Sequence, residues 1–122
     1  MTNDKYILRY LPLFYKDLEE KIVYIAETLQ NSKAAQELLD AVEKAILERV
    51  TNAESFEPYC SVKERRYKYY RIYVKNYIVY YVVIDDEGPD KIMEVRRFLY
   101  NKQNQHRLVW WLSIYGVTYI AC

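Results

Sequence analysis

Residues 67–83 read "YKYYRIYVKNYIVYYVV" and hold seven of the chain's fifteen tyrosines, with Lys68, Arg71 and Lys75 set between them. Side chains alternate across a strand, so Tyr70, Ile72 and Val74 share one face while Tyr67, Tyr69, Arg71, Tyr73 and Lys75 share the other. Lys75-Asn76 predicts a two-residue turn, because Asn tolerates the left-handed conformation that tight hairpins need. With that turn, Val74 pairs with Tyr77, Ile72 with Val79 and Tyr70 with Tyr81, and Arg71 lies opposite Tyr80 on the second face. A three-residue loop would instead reverse the faces of the second strand. The two-residue turn gives one continuous apolar face, which needs a partner layer.

Upstream segments supply that layer. "KYILRYL" (5–11) is short and rich in aromatic and branched residues, a strand that stops at Pro12. Phe14, Leu18, Ile22, Ile25 and Leu29 then recur at three- and four-residue steps, one stripe of a helix with Pro12 in its first turn. Asp17, Glu19, Glu20 and Lys21 fall mostly off that stripe. Asn31 or Ser32 caps a second helix, whose stripe is Ala35, Leu38, Leu39, Val42, Ile46 and Val50. Two amphipathic helices joined by about three residues form an antiparallel hairpin, and with one stripe each they must lie on a sheet. "TNAESFEPYCSVKERR" (51–66) has no sustained period and reads as a connector. "DDEGPD" (85–90) is a second turn, and "KIMEVRRFL" (91–99) is a further strand. The expected fold is α+β in the order β-α-α-β-β-β, an antiparallel-rich sheet with an α-hairpin packed on one face. Its other face is expected to stay open, with Tyr and Arg sorted onto it.

A length of 122 residues fits one domain, taken as 1–108, followed by an uncharged apolar tail over 109–122, "VWWLSIYGVTYIAC", too short to span a bilayer comfortably. That tail is free to add an edge strand, cover the open face or form an oligomer contact. A composition that is 52% hydrophobic with two Gly and three Pro excludes disordered and collagen-like classes. The net charge of +1 hides a division after Val62: seven Lys or Arg against eleven Asp or Glu before it (−4), eleven against six after it (+5). A basic half with interleaved aromatics is the footprint of a polyanion binder, unless both halves simply carry solvated faces. Cys60 and Cys122 have neither disulfide-scaffold nor zinc spacing, and the N-terminus lacks the pattern of a signal peptide, so a reduced cytoplasmic setting is expected.

Catalytic signatures built on glycine loops, GxSxG or HExxH are absent, and with His106 as the only histidine no multi-histidine metal site or Ser/His/Asp set is available. No metal or other cofactor is expected. Lys63, Arg65, Arg66, Arg71, Lys75, Arg96, Arg97, Lys102 and Arg107 remain, together with the phenols. Arg offers bidentate hydrogen bonds to phosphate and Tyr a surface on which unpaired bases stack, a set suited to single-stranded RNA. Metal-free RNA cleavage needs proton-transfer groups, for which Tyr100 and His106 are candidates, and phosphate clamps, for which Arg71 and Arg97 are candidates. The structural alternatives are a rim aromatic for Tyr100, a surface position for His106 and a helix-carboxylate partner for Arg71.

The element order, with "NSKAAQELLDAVEKAI", "YYRIYVKNYIVYYVV" and "IMEVRRFLYNKQN", resembles the RelE/ParE superfamily of bacterial type II toxins over about residues 5–108. The resemblance implies a small toxin held silent by a cognate antitoxin in a hetero-oligomeric complex. RelE-like members enter the ribosomal decoding site and cleave mRNA without a metal, whereas ParE-like members inhibit DNA gyrase. Arg71 and Arg97 match strand positions of phosphate-binding residues in the nucleases, Lys63, Arg65 and Arg66 match their basic segment, and Tyr100 stands at the His/Tyr position after the last strand. The first expectation is a ribosome-dependent mRNA endonuclease with Arg71, Arg97, Tyr100 and His106 as catalytic candidates. Lys63, Arg65, Arg66, Lys75, Lys102 and Arg107 would bind RNA. Ile78 and Gln103, however, stand where arginine is common in the nucleases, and these departures favour the alternative, a gyrase inhibitor. Neither reading involves a membrane.

Overall fold

A computed structural model describes residues 6–58 and 66–101. Strand β1 (Tyr6–Tyr10) leads into helix α1 (Pro12–Val23), which runs on as one π-helical turn (Tyr24–Thr28). Helix α2 (Ser32–Arg49) follows, then a 3-10 turn (Val50–Asn52) and strands β2 (Tyr69–Val74), β3 (Tyr77–Ile84) and β4 (Lys91–Tyr100). The sheet order is β1-β4-β3-β2, with β1 parallel to β4 and the other two pairings antiparallel. The expected α+β architecture is therefore present.

The β2–β3 hairpin has the expected register, with Val74 opposite Tyr77, Ile72 opposite Val79, Tyr70 opposite Tyr81 and Arg71 opposite Tyr80. Its left-handed residue is Lys75 (φ 53°) rather than Asn76. Tyr70, Ile72, Val74, Val79 and Tyr81 form one core with Met93, Val95 and Phe98 of β4 and with Phe14, Leu38, Val42 and Ile46 of the helices. Tyr70 and Tyr81 stack at 5.1 Å between ring centroids, and Phe98 stacks on Tyr77 at 5.0 Å.

Three features differ from the periodic reading. Leu29 is 55% exposed, because the π turn, closed by Leu29 N–H donating to Tyr24 O at 3.0 Å, rotates it off the stripe that buries Phe14. Asn31 is the cap of α2, its Oδ1 accepting from Ala34 N–H at 3.0 Å, and Leu39 lies at the exposed margin of that helix. In β4 a bulge sets in after Val95: Tyr81 pairs with Val95 but Tyr80 pairs with Arg97, which leaves Arg96 extra. Strict alternation would place Met93, Val95, Arg97 and Leu99 on the core face. The inserted residue delivers Phe98 instead, so the bulge reconciles the "VRRF" sequence with the core.

The connector is also part of the core. Ala53 is fully buried, and its carbonyl accepts from Tyr81 Oη at 2.7 Å. Arg49 donates to the same phenol at 2.9 Å and to Arg71 O at 3.3 Å, with its guanidinium carbon 3.5 Å from the centroid of the Phe56 ring. Burial pushes the Tyr81 phenol up from its ordinary pKa, although Arg49 opposes the shift, so it stays a neutral donor near neutral pH.

Tyr81→Phe removes the donor to Ala53 O and the acceptor for Arg49 while keeping the ring. It should lower the unfolding free energy by about 1–3 kcal/mol, the usual consequence of stranding buried polar groups. Leu29→Ala, at a position that periodicity alone would place in the core, should change it by less than about 0.5 kcal/mol. Urea titrations of the two variants decide the matter; equal losses would mean that Leu29 packs in the core after all.

Candidate functional site

Arg71 of β2, Tyr80 of β3 and Arg97 of β4 stand in one row across the sheet. At roughly 4.8 Å between neighbouring strands, the two arginine Cα atoms lie about 10 Å apart. The fold thus brings together the two candidate phosphate clamps. Their surroundings differ. The Arg71 guanidinium lies 5.8 Å from the Tyr73 ring centroid on the edge strand. Arg97 is held in a fork: its Nε donates to Asp17 Oδ2 at 2.7 Å and its Nη2 to Asp17 Oδ1 at 3.0 Å. Asp17 is 4% exposed and also accepts from the Phe98 N–H at 3.0 Å.

This fork follows from the path of the chain. β1 runs beside β4 only as far as Tyr10 opposite Val95, and Leu11 N–H closes the pairing by donating to Val95 O at 2.9 Å. Pro12 then turns the chain into α1, and among the described residues the far end of β4 has no strand neighbour on that side. Asp17 covers this open edge, taking one backbone donor and the adjacent guanidinium. An acid at the third position after Phe14 lies on the apolar stripe, not off it, and that is the signal by which sequence could have found it. The helix-carboxylate partner envisaged for Arg71 belongs to Arg97.

A second cluster lies on the sheet face opposite the helices, which we call the outer face. Arg9, Glu94, Val82 and Tyr69 form a row across all four strands. Glu94, buried, accepts from Arg9 Nε at 2.9 Å and from Arg96 Nε at 2.8 Å, and Arg96 Nη1 donates to Tyr69 Oη at 3.0 Å. Burial alone would raise the Glu94 pKa, but the hydrogen bonds and charges of Arg9 and Arg96 outweigh it and hold the carboxyl below its usual range. Glu54 is likewise lowered, chiefly by the Lys91 ammonium at 2.7 Å, and accepts from Tyr6 Oη at 3.0 Å.

The remaining candidates are dispersed. Tyr100 closes β4 opposite Tyr77, half exposed, its ring edge-on to Tyr77 at 5.7 Å. Lys75 sits near it in the hairpin turn, where Asn101 N–H donates to Asn76 O at 2.7 Å. Arg66 is at the other end of the hairpin, about 25 Å away at roughly 3.3 Å per strand residue. There it pairs with Asp86 at 2.9 Å, and Asp86 also accepts from Tyr67 Oη at 2.8 Å. Lys63, Arg65, Lys102, His106 and Arg107, with Cys60, Cys122 and the tail, lie outside the described residues. Among the described residues no group of three or more potential ligands could hold a metal ion, and no helix is long and apolar enough to cross a membrane.

Two helices on one face of a four-stranded mixed sheet, with one basic strand residue, Arg97, forked to a helix acid, define an α+β architecture consistent with RelE/ParE-like toxins. The family described as ParE toxin of type II toxin-antitoxin system, parDE, matches residues 8–105, and the chain belongs to that family. No curated protein matches the chain.

Arg97→Ala leaves the Asp17 carboxylate buried beside a single backbone donor, and should destabilise the fold by about 3–5 kcal/mol. Chemical denaturation checks this, and a loss below about 1 kcal/mol would reduce the fork to a surface pair.

The acid limb supplies another test. With its pKa depressed in the folded state, Glu94 contributes stability above its unfolded value of about 4.3, and that contribution is lost as pH falls through the lower folded value. Glu54 and Asp86, lowered by Lys91 and Arg66, act in the same direction. Glu94→Gln should therefore flatten the fall in urea midpoint between about pH 5 and 2. An unchanged slope would remove Glu94 from the linkage.

Proposed function

We propose that this protein is the toxin of a toxin–antitoxin pair and that it acts by inhibiting DNA gyrase, a binding activity without nuclease chemistry. Its partners would be a cognate antitoxin, in a hetero-oligomeric complex, and gyrase in the cytoplasm. The observation that carries the choice of target is the Asp17 fork on Arg97. A transition-state clamp on phosphate needs net positive charge and free donors aimed at the phosphoryl oxygens. The carboxylate cancels the charge of this guanidinium and occupies two of its donors. Ile78, where the nucleases commonly carry arginine, is buried at 4% exposure and adds no cation. The family match to ParE toxins supports the same side.

The ribosome-dependent nuclease is retained as the second reading because Arg71 and Arg97 share a row across the sheet and the half-exposed Tyr100 lies three residues beyond Arg97 on the same strand. The two readings separate in paired assays. Added protein should abolish supercoiling of relaxed plasmid by purified gyrase, and mRNA on programmed ribosomes should show no new 5′ end at the A-site codon. Unchanged supercoiling at saturating protein, with a cut in the A-site codon, would reverse the assignment. Arg71→Ala is the suitable variant for following either activity, since Arg97→Ala confounds function with folding.

A further inference from the structure

Glu54 of the connector meets the open end of the β2–β3 hairpin in a cavity of about 260 Å³, lined also by Arg66, Lys68, Tyr70, Val83 and Asp85. That is room for about nine waters. Tyr70 is only 7% exposed, and its ring is stacked on that of Tyr81 at 5.1 Å. The two phenols nevertheless differ. Tyr81 Oη donates to Ala53 O and accepts from Arg49, whereas the Tyr70 hydroxyl makes no hydrogen bond among the described residues. A buried hydroxyl is rarely left unpaired, so this one calls for a partner in the cavity that it lines. Burial pushes the Tyr70 phenol up from its ordinary pKa and the Glu54 charge adds to the shift, so it stands there as a neutral donor.

The charges around it are incompletely matched. Glu54 accepts from both Lys91 and Tyr6 through Oε1, and neither bond uses Oε2. Lys68 and Asp85 are exposed and form no ion pair among the described residues, although both line the same cavity. Arg66 is paired with Asp86. Val83 contributes an apolar wall. A simple anion would face Glu54 and Asp85, and a simple cation would face Lys68 and Arg66, so a ligand of either single charge meets repulsion. The carboxylates do not make a metal site, since no group of three or more potential ligands exists among the described residues.

We propose that this cavity binds a small zwitterion, a free α-amino acid, with its ammonium toward Glu54 Oε2 and Asp85 and its carboxylate accepting from Lys68 and Tyr70 Oη. Tyr70 and Val83 belong to the core on the helix side of the sheet, while the Arg71–Tyr80–Arg97 row lies on the outer face. The site is therefore separate from that row and does not depend on whether gyrase or the ribosome is the target.

Isothermal titration calorimetry of the purified full-length chain with each free L-amino acid in turn tests this. At least one should bind, and its N-acetyl and C-amide derivatives, each lacking one charge, should bind about tenfold more weakly or worse. Lys68→Met and Asp85→Asn, at exposed positions, should each weaken binding by about tenfold, while Lys44→Met on the exposed flank of α2 should leave it unchanged. Tyr70→Phe should keep the thermal midpoint of the unliganded chain, its hydroxyl having no bond to lose, and should shrink the rise in midpoint that the amino acid produces. Failure of every amino acid to bind would overturn the proposal and leave the cavity to water. Binding indifferent to Lys68→Met and Asp85→Asn, or equally tight for the N-acetyl derivative, would overturn it too. A lower midpoint for unliganded Tyr70→Phe would do the same, by showing that the hydroxyl is already bonded.

Discussion

Asp17 is the point at which the helical layer is fastened to the sheet. Its two oxygens accept the Arg97 fork and the Phe98 N–H, so one buried carboxylate fixes α1 against the part of β4 that β1 does not reach. Phe98 is thereby held against Phe14 and Tyr77, with ring centroids 6.1 and 5.0 Å away. A buried carboxylate satisfied from three donors is tolerable; with its guanidinium removed it would be a strong liability. The same contact lowers the fitness of Arg97 as a free cation, so what organises the fold also bears on what the face can do.

The division of the chain into an acidic and a basic half takes on a different meaning in the folded state. Arg97 pairs with Asp17, Lys91 with Glu54, and Glu94 with Arg9, each pair joining one half of the sequence to the other. Charge segregation along the chain is then partly a record of which elements meet in space. Exposed pairs such as Arg66–Asp86 contribute little to stability, whereas Glu94 and Asp17 are buried and commit their partners. A polyanion recruiting Arg9, Lys91, Arg96 or Arg97 would have to compete with these carboxylates.

The hairpin was legible because alternation and a two-residue turn determine register together, and the helix stripes were legible because period 3.6 is sustained over several turns. What escaped was local geometry that breaks a period. The bulge at Arg96 adds one residue to β4, the π turn rotates Leu29 outward, and Ala53 is drawn into the core from a segment with no period at all. Of the site candidates, the hairpin register read from sequence set Arg71 opposite Tyr80, whereas the bulge that sets Arg97 on the other side of Tyr80 left no mark in the period. Sequence did not reveal Asp17, Glu94 or Tyr69, because the partner of a charge is set by tertiary approach across 80 residues or more in the first two cases.

The tyrosines illustrate the same point. Of the seven in residues 67–83, Tyr70 and Tyr81 stack in the core, Tyr77 stacks on Phe98, and Tyr80 is buried on the outer face. Tyr67 and Tyr69 are bound to Asp86 and Arg96 through their hydroxyls. Tyr73 alone of this set is more than half exposed, at 51%, with Tyr100 beyond the hairpin as its nearest counterpart. A base-stacking platform requires accessible ring faces in succession. Here a phenol suits a thin sheet for another reason: its ring fills the interior while its hydroxyl reaches a carbonyl, a carboxylate or a guanidinium at the margin. The abundance of tyrosine is thus accounted for by how this small domain joins its core to its charged surface, and it carries little weight as an argument for RNA.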